Sequence, residues 1–148
     1  MRHLRSSLRQ AFTTSKQKGV RYHRALGQLN DRVMHLRHEF LQCQGALLAA
    51  IRHDPPRLFK EHLEDTLERL SAKRGQITRL LELTRQHRDD LQRRRGSSTD
   101  HRYDMEQREQ LYTSYCQEAE SLLGDIERLM ILTRYLADGG RREEAISI

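Results

Sequence analysis

Residues 22–47 read YHRALGQLNDRVMHLRHEFLQCQGAL, and the large or apolar side chains among them stand at Tyr22, Leu26, Leu29, Val33, Leu36, Phe40, Cys43 and Leu47. The steps between them alternate between four and three residues without a break. A 3.5-residue period draws one narrow apolar seam along a helix, the pattern of a helix that lies beside other helices in coiled-coil fashion. Such a seam needs partners, and the rest of the chain offers two more helices.

Downstream, the reading is punctuated by two stop signals. In Asp54-Pro55-Pro56 the first proline disfavours helix at Asp54, and Asp54 is placed to cap a following helix with Pro55 at its first position. So short a connection forces the two helices to lie antiparallel and adjacent. The second helix has its seam at Leu63, Leu67, Leu70, Ile77, Leu81 and Leu91, but the same phase puts Arg74, Thr84 and Arg88 at seam positions. That face is partly polar, so part of it is expected to await another chain or acids from the third helix. Gly96 is a ready helix terminator, and Ser97-Ser98-Thr99-Asp100 reads as a loop that caps a third helix.

The third helix carries Met105, Tyr112, Tyr115, Ala119, Leu122, Ile126, Leu129 and Leu136 in one seam. Leu123, Met130, Ile131, Leu132 and Tyr135 widen it towards its end, which is expected to be the most buried part of the molecule. Asp138-Gly139-Gly140 then stops the helix. The fold class that follows is all-α: an elongated antiparallel three-helix bundle, or a coiled-coil hairpin with a third long helix. Its parts are a basic amphipathic N-terminal arm over 1–18, a three-helix coiled-coil domain over 19–138 with helices at 19–53, 55–95 and 99–137, and a polar C-terminal tail over 139–148.

Composition agrees with this division. The 148 residues hold two prolines and no tryptophan, with 32% charged and 36% hydrophobic residues. That leaves little material for sheets and much for long solvated helical faces. The net charge of +6 is uneven: residues 1–30 carry Arg2, Arg5, Arg9, Lys16, Lys18, Arg21 and Arg24 and no acid. Gly19 weakens the helix there by about 1 kcal/mol against alanine, which separates this basic segment from the strict seam.

The chemistry of enzymes is not written in the chain. Eight histidines occur, yet there is no H-E-x-x-H and no Glu-x-x-His of the kind di-metal bundles use. Phosphate-cradling glycine loops and nucleophile elbows are likewise absent from the sequence. The acids Glu61, Glu64, Asp65 and Glu68 fall at helical spacing on a charged face, where they solvate the helix and pair with basic neighbours. The two cysteines, Cys43 on the first seam and Cys116 beside the third, are too far apart for a metal or redox motif and read as core thiols, Cys116 only partly covered. No catalytic residue, cofactor, metal or small-molecule substrate is therefore expected.

Three readings of function remain. The first is a non-enzymatic structural or adaptor subunit that joins a larger complex through coiled-coil packing. Its partners are other helical chains, in a hetero- or homo-oligomer, and Tyr22, Leu26, Leu29, Val33, Leu36, Phe40 and Leu47 form the partner-binding seam. The second is a polyanion-binding module for the nucleic-acid backbone or an acidic membrane surface. It would use the seven basic residues of the N-terminal segment with Arg93, Arg94 and Arg95, beside which Ser97 and Ser98 are candidate phosphorylation sites. The third is an organellar protein with a cleaved basic presequence. No apolar run is long enough to span a membrane and no secretory signal is visible, so the expected location is intracellular, cytoplasmic or nuclear, with mitochondrial import the weaker alternative.

Overall fold

A computed structural model describes residues 15–95 and 102–146, with side chains over 26–94 and 106–145. Three long helices, α1 (Ser15–His53), α2 (Pro56–Arg95) and α3 (Arg102–Ala137), are followed by a short α4 (Arg142–Ile146). At 39, 40 and 36 residues the long helices extend about 54 to 60 Å at 1.5 Å per residue. The described residues contain no strand. The all-α three-helix architecture expected from the seams is the one adopted.

The helices zigzag. The backbone turns between α1 and α2 within Asp54 and Pro55, where the Asp54 amide still donates to the Ala50 carbonyl at 3.0 Å and the Phe59 amide already donates to Pro55 at 3.0 Å. The second helix thus starts one residue later than the proline pattern implies, and the Asp54 carboxylate is engaged by the ring of His62. Further along this hairpin, Lys73 reaches Glu39 across the α1–α2 boundary at 2.5 Å. The α2–α3 pair is antiparallel as well, spanned by Arg85 donating to Glu120 at 2.7 Å and Gln92 donating to Glu109 at 2.8 Å. Of the three pairs, α2 with α3 is the most extensively packed.

One core runs through the interior. Leu26, Leu29, Val33, Leu36, Phe40, Cys43 and Leu47 of α1 meet Leu63, Leu70, Ile77, Leu81 and Leu91 of α2, and Tyr112, Ala119, Leu122, Ile126, Leu129 and Leu136 of α3. Each fully buried leucine or isoleucine contributes about 1.5 to 3 kcal/mol through removal of apolar surface from water. The polar residues on the α2 seam are accommodated locally. Thr84 is buried and donates to the Leu80 carbonyl at 2.7 Å, the back-bond that lets a threonine sit inside a helical core. Arg74 and Arg88 are half-buried, so neither arginine opens a gap in the seam.

Several expectations need correction. Of the five residues expected to widen the apolar face of α3, Met130 is buried and Leu123 and Leu132 pack partly buried against the core, but Ile131 is 65% and Tyr135 43% exposed and they do not widen it; Thr133 is buried there as well. The reason is angular, since a third helix packed between two others buries its seam and one flank, and Ile131 lies on the far side. Cys116 is 2% exposed and fully part of the core rather than partly covered. At the other end, α1 begins at Ser15, four residues before Gly19, so Lys16 and Lys18 lie on the helix and not on a separate arm. Residues 1–14 lie outside the described residues.

The segment read as a polar tail, 139–148, folds back. Gly139 takes a positive φ of 98°, and its amide and that of Gly140 donate to Leu136 and Tyr135 carbonyls at 3.2 and 2.8 Å. That is the double hydrogen bond of a Schellman ending. The reversal lays α4 against α1 and α3, buries Ala145, and lets Arg142 donate to the Asp54 carbonyl at 2.6 Å with its guanidinium 3.7 Å from the centre of the Phe59 ring. The end of the chain therefore clasps the α1–α2 turn. Arg142→Ala should loosen that clasp at a cost of about 1 to 2 kcal/mol, read as faster amide exchange at Asp54 and Phe59 with the exchange of Leu70 unchanged.

Candidate interaction surfaces

The seam assigned to partner binding is where the structure departs furthest from the sequence reading. Leu26, Leu29, Val33, Leu36, Phe40 and Leu47 are all buried in the chain's own core. None of them is left for another chain to cover. The Tyr22 side chain lies outside the described side chains, although its backbone is part of α1. What helix periodicity cannot say is whether the partner of a seam is inside or outside the molecule; here α2 and α3 fill it.

The basic residues divide by position. Arg2, Arg5, Arg9, Ser97 and Ser98 lie outside the described residues. Lys16, Lys18, Arg21 and Arg24 stand on the first turns of α1, and Arg95 ends α2, with side chains that are not described. Arg93 is exposed, and Arg94 is paired with Asp90 at 3.3 Å. Because α1 and α2 are antiparallel, the start of one and the end of the other occupy the same end of the bundle. Two basic stretches far apart in sequence are thereby brought to one pole.

A groove of about 490 Å³ runs between α1 and α2. Leu36, Leu80 and Leu83 supply its apolar lining, and Asp31, Arg32, His35 and Arg79 its polar and charged groups. Its neighbour on α1, Glu39, is held by Lys73 and also by His35 at 2.6 Å. The hydrogen bond from Lys73 is the chief reason the Glu39 carboxyl titrates below the ordinary glutamate range; burial opposes it and His35 assists. A carboxylate whose folded pKa is depressed stabilises the fold above its unfolded pKa and loses that contribution as pH falls through the folded value. Lys73→Met should therefore lower the thermal midpoint at neutral pH and flatten its fall below about pH 4.3, the unperturbed glutamate value, the two proteins converging once Glu39 is protonated.

The remaining titratable groups do not converge. Among the described residues no three of His, Cys, Asp and Glu are placed to share a metal ion. His38 meets Gln42 at 3.2 Å, His62 meets Asp54, and His87 stacks on Tyr112 with ring centroids 5.9 Å apart. Burial pushes the Cys116 thiol up, against the pull of Arg88 and Arg85, and so disfavours the reactive thiolate. No described helix is long and apolar enough to cross a membrane.

Apart from Ile131 and Tyr135, the apolar side chains that the bundle leaves outside are not marked by the seams. Met34, Leu41, Leu48, Leu58, Leu83, Leu111, Ile131 and Tyr135 are exposed large hydrophobics, distributed over all three long helices. Met34, Leu41 and Leu48 each directly follow a seam residue, so a search for one seam per helix absorbs them into its edge. The signal that marks Leu41 and Leu48 is the run from Phe40 to Ile51, twelve residues without a charge in a chain that is 32% charged. Comparison with known protein families, with curated proteins and with solved structures finds no match to the chain.

Proposed function

We propose that the chain is a non-enzymatic structural or adaptor subunit, joined to a larger assembly through the outer faces of its helices. The observation that carries this reading is the string of exposed large hydrophobics along a helical rod whose own seams are already filled. Exposed apolar side chains ordered along a rigid element favour contact with another apolar surface, and a rod offers long faces for such contact. The function is one of holding, so the residues that matter are those that are exposed and apolar rather than those that are titratable. Affinity purification of the tagged full chain with cross-linking should recover a reproducible set of helical proteins, cross-linked through exposed positions of α1 to α3. A chain that purifies alone, monomeric and without cross-linked partners, would contradict it.

A second reading rests on the shared pole of the two basic stretches. Lys16, Lys18, Arg21 and Arg24 fall within nine residues of one helix, a rise of about 12 Å, with Arg93 at the same end. Such a concentration of cations suits a nucleic-acid backbone or an acidic membrane surface. Binding by this pole should weaken steeply with salt, and replacing these five residues by glutamine should lower the slope of log affinity against log salt by about one for each phosphate that is no longer neutralised. A shallow slope in the unaltered chain would exclude it.

A further inference from the structure

Helix α1 carries a second stripe with the period of the first. Asp31, Met34, His38, Leu41, Gly45, Leu48 and Arg52 follow one another at alternating steps of three and four, and all seven are exposed. The inner seam at the same period is buried in the chain's own core, so this outer stripe is the side of α1 that the bundle leaves uncovered. Between its ends the stripe is apolar or small except at His38, with Met34 57%, Leu41 54% and Leu48 38% exposed. Its two ends carry opposite charges. Neither Asp31 nor Arg52 forms an ion pair among the described residues.

We infer that this stripe is a self-pairing surface on which α1 of a second copy lies antiparallel, with the twofold axis passing between Leu41 and Gln42. This rests on the assembly reading above and names its partner. Charge complementarity selects the second copy: an antiparallel pair centred there sets Asp31 of each chain opposite Arg52 of the other, making the same attraction at both ends. In the same register Met34 falls opposite Ala49 and Leu41 opposite Gln42 beside the symmetry-related Leu41. His35, Arg37 and His38 meet the uncharged Leu48, Ala46 and Gly45. At Gly45 no atom lies within 4 Å of the place where a Cβ would stand, which leaves room for His38 of the copy. A self-complementary patch that matches itself by rotation is what a closed twofold dimer requires, and a 3.5-residue stripe is what lets two helices stay in contact along their length. From Asp31 to Arg52 the contact spans about 32 Å at 1.5 Å per residue. A parallel pairing would set Asp31 against Asp31 and Arg52 against Arg52.

Sedimentation equilibrium of the full chain tests this, with circular dichroism confirming that each variant keeps its helicity. The unaltered chain should show a reversible monomer–dimer equilibrium. Leu41→Glu, which places two carboxylates beside the axis, should weaken dimerisation by roughly a hundredfold. Asp31→Arg and Arg52→Asp should each weaken it by roughly tenfold, by turning two attractions into repulsions, and the double variant should recover most of the loss. A chain that is monomeric at every concentration, a dimer indifferent to Leu41→Glu, or charge reversals that do not rescue each other would overturn the inference. A monomer that still retains a helical partner through the Leu41 face would overturn self-pairing and leave the assembly reading standing; a monomer that retains none would remove both.

Discussion

Phe40→Asp should abolish cooperative unfolding, leaving a chain without a defined thermal transition by circular dichroism. Phe40 is 6% exposed and belongs to the core shared by the three long helices, so a carboxylate introduced there is taken out of water. The substitution removes an aromatic side chain worth about 3 to 5 kcal/mol in a core. It also buries a group that must either stay ionised without a partner or take up a proton, at a further cost of several kcal/mol. A domain of this size holds about 5 to 15 kcal/mol in total, so the sum is comparable with the whole stability. His38→Asp, two residues away but exposed and bonded among the described residues to Gln42, should leave the folded monomer intact. Equal tolerance of the two would mean that the phase of α1 is wrong.

Gly140→Ala should lower stability by about 2 kcal/mol and release α4 from the body of the molecule. A Cβ at Gly140 would stand 2.6 Å from the Tyr135 carbonyl oxygen, which is backbone and held by the Gly140 amide itself. Relief requires the reversal to open, and the positive φ at Gly139 offers no alternative path. Opening carries away Arg142 from Asp54 and Phe59 and Tyr135 from Glu144. The measurable signature is a lower midpoint together with loss of protection around the α1–α2 turn, a place 86 residues earlier in the chain than the substitution. A change confined to residues 139–146 would show that α4 adds nothing to the turn.

The three long helices were legible because each depends on short-range signals: periodic leucines, the Asp54-Pro55-Pro56 break and the glycine near 96. The identity of the core was legible for the same reason, down to Leu70, Ile77, Leu122 and Ile126. Three things were not. Whether the α1 seam is satisfied within the chain depends on how α2 and α3 answer it, and the arginines at 74 and 88 and the threonine at 84 disguised an α2 face that is in fact continuous. The clasp by α4 was hidden because five residues are too few to show a period and because its partners, Asp54 and Phe59, are distant in sequence. The outer stripe of α1 is hard to see in the sequence because Met34, Leu41 and Leu48 adjoin seam residues, and it is their exposure that separates the two sets.

Zero-length carbodiimide cross-linking of an equal mixture of unlabelled and isotopically labelled full chain tests most directly whether the α1 seam is filled by its own chain. Lys73 Nζ lies 2.5 Å from the Glu39 carboxylate, so an amide should form between them and appear in peptides that are wholly unlabelled or wholly labelled. Mixed-label Glu39–Lys73 peptides in a proportion equal to the unmixed ones would show that α1 lies along α2 of another molecule, and would contradict the account.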